Sequence, residues 1–185
     1  MNQEILKTID ASWTLFLDRD GVINNEVHLK YVNNWEEFDM YEGVLEAFKI
    51  FNEKFGLILI ITNQRGVAKG ITKAEDLSII HENMTADIVE SGGRIDKIYF
   101  CTDMEDTSAN RKPNPGMALQ AKIEFPSIDF SKSIMIGNTL GDMGFGRNAG
   151  IAINVFLPTT KPETIIPNPL IDLVFSSLLQ VAKAL

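Results

Sequence analysis

The chain of 185 residues is long enough for one ordinary domain and too short for two well-cored ones, so a single domain over residues 1–185 is expected. Hydrophobic residues at 45% and charged residues at 23% fit a globular protein and exclude disorder, and no apolar run approaches the roughly 18 residues that cross a bilayer. The net charge of −8 opposes a sequence-independent grip on nucleic acid, leaving a small molecule as the expected partner.

Apolar runs bounded by turn residues recur along the chain. Strands are expected at Thr14 to Asp18, Leu57 to Thr62, Lys97 to Cys101, Ser133 to Gly137, Ile151 to Phe156 and Leu173 to Phe175, because these runs are short, β-branched and continuous, as strands buried on both faces are. Helical spacing fills the gaps: Val44, Phe48 and Phe51; Ile79, Ile80, Met84 and Ile88 on a helix starting near Thr72; Met117 and Ala121 after a start near Pro115; Leu178, Leu179 and Ala182. The alternation implies right-handed βαβ units, hence an α/β fold with a mainly parallel sheet flanked by helices. Its site is then expected beyond the carboxyl ends of the strands. Pro158 to Pro169 reads as a short loop, and Gly144 to Gly150 as the end of a helix. One cysteine, Cys101, excludes an internal disulfide; with the acidic N-terminal stretch, which lacks an apolar signal core, it points to a cytoplasmic protein.

The first strand runs into Leu17-Asp18-Arg19-Asp20-Gly21-Val22, and period-two geometry sends both carboxylates to one side. Two acids sharing a space require a positive partner, and a hard divalent cation such as Mg²⁺ satisfies them with oxygen ligands. The second strand ends in Thr62-Asn63-Gln64-Arg65-Gly66, where a hydroxyl and an amide can donate to phosphate oxygens. Arg111-Lys112-Pro113-Asn114-Pro115 brings a cationic pair, and the fourth strand ends in Gly137-Asn138-Thr139-Leu140-Gly141-Asp142. Each motif has a plain alternative: an acidic turn, ordinary loop chemistry, a solvated basic loop, a glycine-rich loop with a capping Asp. Their order after successive strands argues against all four.

That series, together with Phe16-Leu-Asp-Arg-Asp-Gly-Val22, Thr62-Asn-Gln64 and Arg111-Lys-Pro-Asn-Pro-Gly-Met117, resembles the haloacid dehalogenase superfamily of phosphohydrolases over about Leu15 to Leu157. Its details are most similar to the branch of heptose 1,7-bisphosphate and histidinol-phosphate phosphatases. The resemblance implies a Rossmann-like domain and Mg²⁺-dependent hydrolysis of a phosphomonoester, with Asp18 as nucleophile forming an aspartyl-phosphate and Asp20 as general acid and base. It implies Thr62, Asn63 and Lys112 on the phosphate, Arg111 and Arg65 toward the rest of the substrate, and Asp18, Asp20, Asn138 and Asp142 around the metal. A phosphorylated sugar of the heptose type is the expected substrate, histidinol phosphate the alternative, and a monomer the expected state. A catalytically weak binding protein and a polynucleotide 3′-phosphatase are the competing classes, the latter disfavoured by the net charge of −8.

Three departures qualify the resemblance. Asn138 stands where the superfamily commonly has aspartate, and a neutral amide should bind Mg²⁺ less tightly. Cys101 to Asn110 offers one cysteine and no histidine where relatives carry a zinc loop, so no structural zinc is expected. The segment Asn24 to Val32 is too short for a separate cap domain, and so is the stretch between the second and third strands. His28, Lys30 and Tyr31 in the first of these are candidate substrate contacts, with an exposed loop position the plainer reading for His28. His81 is expected to be solvated or capping, and Trp13 and Trp35 to pack.

Overall fold

The computed structural model describes residues 3–26 and 31–185, so His28 and Lys30 lie outside the described residues. Six strands form one parallel sheet: β1 (Thr14–Leu17), β2 (Leu57–Asn63), β3 (Lys97–Cys101), β4 (Ser133–Gly137), β5 (Ile153–Phe156) and β6 (Leu173–Val174), in the order β3-β2-β1-β4-β5-β6. The chain steps outward from β1 to β3, returns to the other side of β1 with β4, and continues outward. This reversal places a crevice beyond the carboxyl ends of β1 and β4, where open α/β sheets bind ligands.

The helices are α1 (Val44–Lys54), α2 (Arg65–Ala68), α3 (Ala74–Glu90), α4 (Gly116–Glu124), α5 (Leu140–Ala149) and α6 (Leu178–Lys183). All six expected strands are present, β3 and β4 at the expected bounds and the other four trimmed or extended by one or two residues. Segments 24–43 and 64–73 hold, among the described residues, only the 3-10 turn Trp35–Glu37 and the four-residue α2. No described helix is long and apolar enough to cross a membrane.

Strand alternation divides the core into two layers. Leu15, Leu17, Ile58, Ile60, Ile134, Ile136, Ile153 and Val155 belong to one buried cluster with α1, α3 and α6; Phe16, Leu59, Ile61 and Met135 belong to the other with α4 and α5. The registers Leu15↔Ile58 and Leu15↔Ile134 align like with like across the three central strands. Trp13 and Trp35 are partly buried against the first cluster, as expected.

The helix α3 departs from the expected pattern. Its buried stripe is Leu77, Ile80, His81, Met84 and Ile88, whereas Ile79 is exposed. Leu77, His81, Met84 and Ile88 follow the 4-3-4 spacing of one helical face, so His81 occupies an inward position and is buried rather than solvated.

The strand that sets the crevice also sets its spacing. A Cβ on Gly137 would overlap the Asp142 side chain at the start of α5, so only glycine lets β4 turn this closely into the helix. Gly137→Ala is expected to destabilise the domain by about 1–3 kcal/mol through overpacking. A urea titration with an unshifted midpoint would contradict this close approach.

Candidate active site

Each motif arrives at the crevice on a rigid element. Asp18 continues β1, its amide donating to the Ile136 carbonyl at 3.0 Å, and a tight turn follows in which the Gly21 amide donates to the Asn24 carbonyl at 2.8 Å. Gly21 has a φ of +78° and lies against the Asn138 side chain, so a Cβ there would be both strained and obstructed. The first and fourth motifs are thereby fitted to one another through a glycine.

Thr139 caps α5: its side chain accepts from the Asp142 amide while the Asp142 Oδ2 accepts from the Thr139 amide at 2.9 Å and the Asn138 amide at 3.2 Å. The capping box spends one Asp142 oxygen on the loop and leaves Oδ1 facing the crevice. Lys112 meets that oxygen at 2.6 Å, meets Asp18 Oδ1 at 2.8 Å, and donates to the Ile61 carbonyl at 2.8 Å. One proton goes to the β2 carbonyl, and the charge pairs with carboxylates from β1 and the β4–α5 junction. The Lys112 loop is fixed in turn by Asn63, whose Oδ1 accepts from the Lys112 amide at 3.1 Å and whose Nδ2 donates to the Lys112 carbonyl at 3.2 Å.

This buried cluster sets one positive charge against two carboxylates. Burial pushes the Asp18 carboxyl up to about 7, Asp142 and Asp20 add to the rise, and Lys112 opposes it. Although burial disfavours the Lys112 charge, Asp142 and Asp18 outweigh it and hold the ammonium above its ordinary value. Asp20 behaves oppositely: despite burial, Arg19 and the hydrogen bonds of Arg19, Asn24 and Gln64 hold its carboxyl below the usual range.

Asp18, Asp20, Asn63, Arg111, Lys112, Asn138 and Asp142 line a common cavity of about 270 Å³, together with Tyr31, Glu26 and Gln64. Thr62 is wholly buried beneath it, its hydroxyl accepting from Gln64 Nε2 at 2.8 Å. Arg65 lies beside the cavity rather than in its lining, paired with the exposed Asp106, whose Oδ1 also accepts from Arg111 Nε at 3.1 Å. The sequence reading did not single out Gln64, whose Nε2 donates to Asp20 Oδ2 at 2.8 Å, or the Arg19 side chain, which is buried and bonded to Asp20. Their place in a motif was visible, but nothing in their spacing revealed the contact.

Asn138 tests whether a hard cation suits this site. Its Nδ2 donates to Thr160 Oγ1 at 2.6 Å, which turns Oδ1 the other way, and Oδ1 is buried with no hydrogen-bond partner among the described residues. A buried carbonyl oxygen without a donor, beside carboxylates in a crevice, is the donor chemistry a magnesium ion takes. Among the described residues no three His, Cys, Asp or Glu side chains are grouped to hold a metal, so an oxygen site here draws on the amide.

The fold and this arrangement define a phosphatase of the haloacid dehalogenase type. The model of the polynucleotide kinase 3 phosphatase family matches residues 14–162, and the chain belongs to that family. It is 40% identical over 149 residues to a D-glycero-α-D-manno-heptose-1,7-bisphosphate 7-phosphatase of Campylobacter jejuni, covering 80% of this chain and 84% of that one. To the β-anomer 7-phosphatase of Yersinia pestis it is 34% identical over 179 residues, covering 92% and 94%. The crystal structure of a D,D-heptose 1,7-bisphosphate phosphatase from B. bronchiseptica, complexed with magnesium and phosphate, superposes with a TM-score of 0.82 at 26% identity, covering 92% of this chain and 96% of that one.

Removing the central cation leaves two buried carboxylates facing one another. Lys112→Ala is expected to cost about 3–5 kcal/mol of stability, the range for breaking a buried ion pair from one side. Chemical denaturation that finds Lys112→Ala as stable as the wild type would show that the ammonium does not hold these loops together.

Proposed function

We propose that this chain is a Mg²⁺-dependent hydrolase of a phosphorylated sugar of the heptose 1,7-bisphosphate type, working through an aspartyl-phosphate on Asp18. The observation that carries this reading is the Lys112 ammonium set between Asp18 and Asp142 at the switch point of the sheet, with Asp20 two residues beyond Asp18 in the same cavity. The activity named for the Campylobacter jejuni and Yersinia pestis relatives supports the substrate class.

Asp18 attacks phosphorus, and the bond to the sugar oxygen breaks as the new acyl-phosphate bond forms. Asp20, ionised in the free protein, takes up a proton from water beside the anionic substrate, gives it to the departing alkoxide, then accepts one from the water that cleaves the acyl-phosphate. Lys112 neutralises charge on the transferring group, while Asn63 keeps the Lys112 loop in place and Thr62 supports Gln64 beneath it. The residues that would hold Mg²⁺ are Asp18 and Asn138, with Asp142 behind them on Lys112 and the loop amides; the Asp20 oxygens, taken by Arg19, Asn24 and Gln64, are left to proton transfer. A magnesium ion there supplies positive charge to the phosphate oxygens. Arg111, in the cavity wall, and Arg65 beside it are placed for a second anionic group on the substrate.

The family's description favours a second reading, a polynucleotide 3′-phosphatase. The net charge of −8 argues against it, because grip on a polyanion needs a basic surface. A panel with Mg²⁺, comprising heptose 1,7-bisphosphate, histidinol phosphate, a 3′-phosphorylated oligonucleotide and p-nitrophenyl phosphate, separates the readings. The bisphosphate is expected to have the highest kcat/KM, and Asp18→Asn to fall below about one per cent of wild-type turnover. Preference for the oligonucleotide would establish the second reading, preference for histidinol phosphate would reassign the substrate, and no phosphate release from any compound would mark a binding protein.

Asn138 gives a separate test. Asn138→Asp places a negative charge beside the ion and is expected to lower the Mg²⁺ concentration for half-maximal activity by about fivefold or more. An unchanged magnesium dependence would place Asn138 outside the metal site.

A further inference from the structure

We propose that His81, acting through Arg19, is a positioning residue for the Asp20 carboxylate. The inference rests on Asp20 being the proton donor and acceptor of the proposed reaction. Arg19 is 1% exposed, which is unusual for an arginine, and its guanidinium is committed on two edges. One edge meets Asp20: Nη2 donates to Oδ1 at 2.7 Å and to Oδ2 at 2.9 Å, and Nε donates to Oδ1 at 3.2 Å. The other presents Nη1 to His81 Nε2 at 3.2 Å, from α3, 62 residues away in sequence. The Phe38 ring lies 6.0 Å from the guanidinium carbon.

The chemistry of the His81 contact is fixed by its partner. A guanidinium has only donors, so His81 Nε2 accepts and the ring proton is assigned to Nδ1. Burial, with the Arg19 charge second, pushes the imidazole down to about 4, so it stays neutral and keeps its lone pair at neutral pH. The planar fork is therefore held at both ends: by Asp20 at the crevice and by a neutral acceptor anchored in the helix core. Asp20 is further held by Gln64 Nε2 at 2.8 Å and Asn24 Nδ2 at 3.1 Å, yet these neutral amides each reach one oxygen, whereas Arg19 reaches both. Loss of the His81 acceptor frees one end of the fork and lets the carboxylate swing.

Proton transfer depends steeply on such placement, so the effect should appear where a proton is needed. Glycerol 2-phosphate releases an alkoxide that requires protonation; p-nitrophenyl phosphate releases a stable phenolate that does not. The quantity to measure is kcat/KM on both, which reports the steps through departure of the leaving group. Their ratio within one preparation is unaffected by any unfolded fraction. His81→Leu removes the acceptor at similar size, and His81→Gln restores an amide oxygen. His81→Leu is expected to lower kcat/KM on glycerol 2-phosphate about tenfold or more, while changing that on p-nitrophenyl phosphate less than about threefold. His81→Gln should recover most of the loss.

An equal loss on both substrates, no loss on either, or a His81→Gln variant as impaired as His81→Leu would overturn the inference, provided Asp20→Asn itself discriminates between the substrates. If Asp20→Asn loses both activities equally, the assignment of Asp20 is wrong and the inference falls with it, a result distinct from failure at His81 alone.

Discussion

One ammonium holds the crevice together. Lys112 answers a carboxylate on β1, a carboxylate on α5 and a carbonyl on β2, so three segments separated by long stretches of sequence depend on one charge. In a buried setting such contacts are strong only when charges are closely matched, and here the ammonium lies within 2.8 Å of both carboxylates and of the carbonyl. The remaining imbalance is two negative charges against one positive. Burial first, and that surplus after it, raise the affinity of the Asp18 carboxyl for a proton, and the surplus makes the same space attractive to a cation. The electrostatic feature that costs stability in the unliganded protein is thus the one from which the proposed chemistry draws.

Asn138 moderates this imbalance. An aspartate at the same position would add a third carboxylate to a cluster that already has a surplus, with no second lysine among the described residues that line the cavity. The amide keeps an oxygen at the edge of the cavity without that charge, and Thr160 fixes which end of it faces outward. Gly21 is coupled to the same residue, since its bare α-carbon is what allows the amide to pack against the first turn. Under the proposed reading, metal affinity is traded against repulsion in the empty site.

The strands and motif-bearing turns were legible because the signals are local: continuous apolar runs mark buried parallel strands, and each chemical motif follows one directly. The expectation that Asp18, Asp20, Lys112 and Asn138 face one space agrees with the cavity they line. What was not legible is how side chains divide between chemistry and support. Thr62 and Asn63 read alike as donors, yet one is buried under Gln64 and the other clasps the Lys112 backbone. His81 was misread for a different reason. The apolar count picked Ile79 along with Ile80, Met84 and Ile88 because all four are apolar, whereas the inward face of α3 takes in Leu77 and His81 and leaves Ile79 exposed. A polar residue at an inward position is invisible to a hydrophobic pattern, and its partner, Arg19, is equally unexpected inside.

The loop before Lys112 shows a second solution to a problem of support. Without the ligands for a zinc ion, this stretch is tied by side-chain and backbone hydrogen bonds: Asn114 Nδ2 donates to the Ser108 carbonyl at 2.8 Å, and Asp106 draws Arg65 and Arg111 together. Those arginines hold the Asp106 carboxyl below its ordinary range, Arg65 contributing first. The two kinds of support differ in how they yield. Metal coordination fixes a loop as a unit, whereas a carboxylate exposed to water is a weak competitor for a guanidinium, screened by salt and solvent. Arg111 can exchange Asp106 for a stronger anion without unmaking the loop, because the Asn114 contacts and the Asn63 clasp on Lys112 do not involve it. The support of the buried lysine and the placement of the outer arginine are therefore separable, which under the proposed function leaves the mouth of the site free to vary with substrate while the buried cluster beneath it stays fixed.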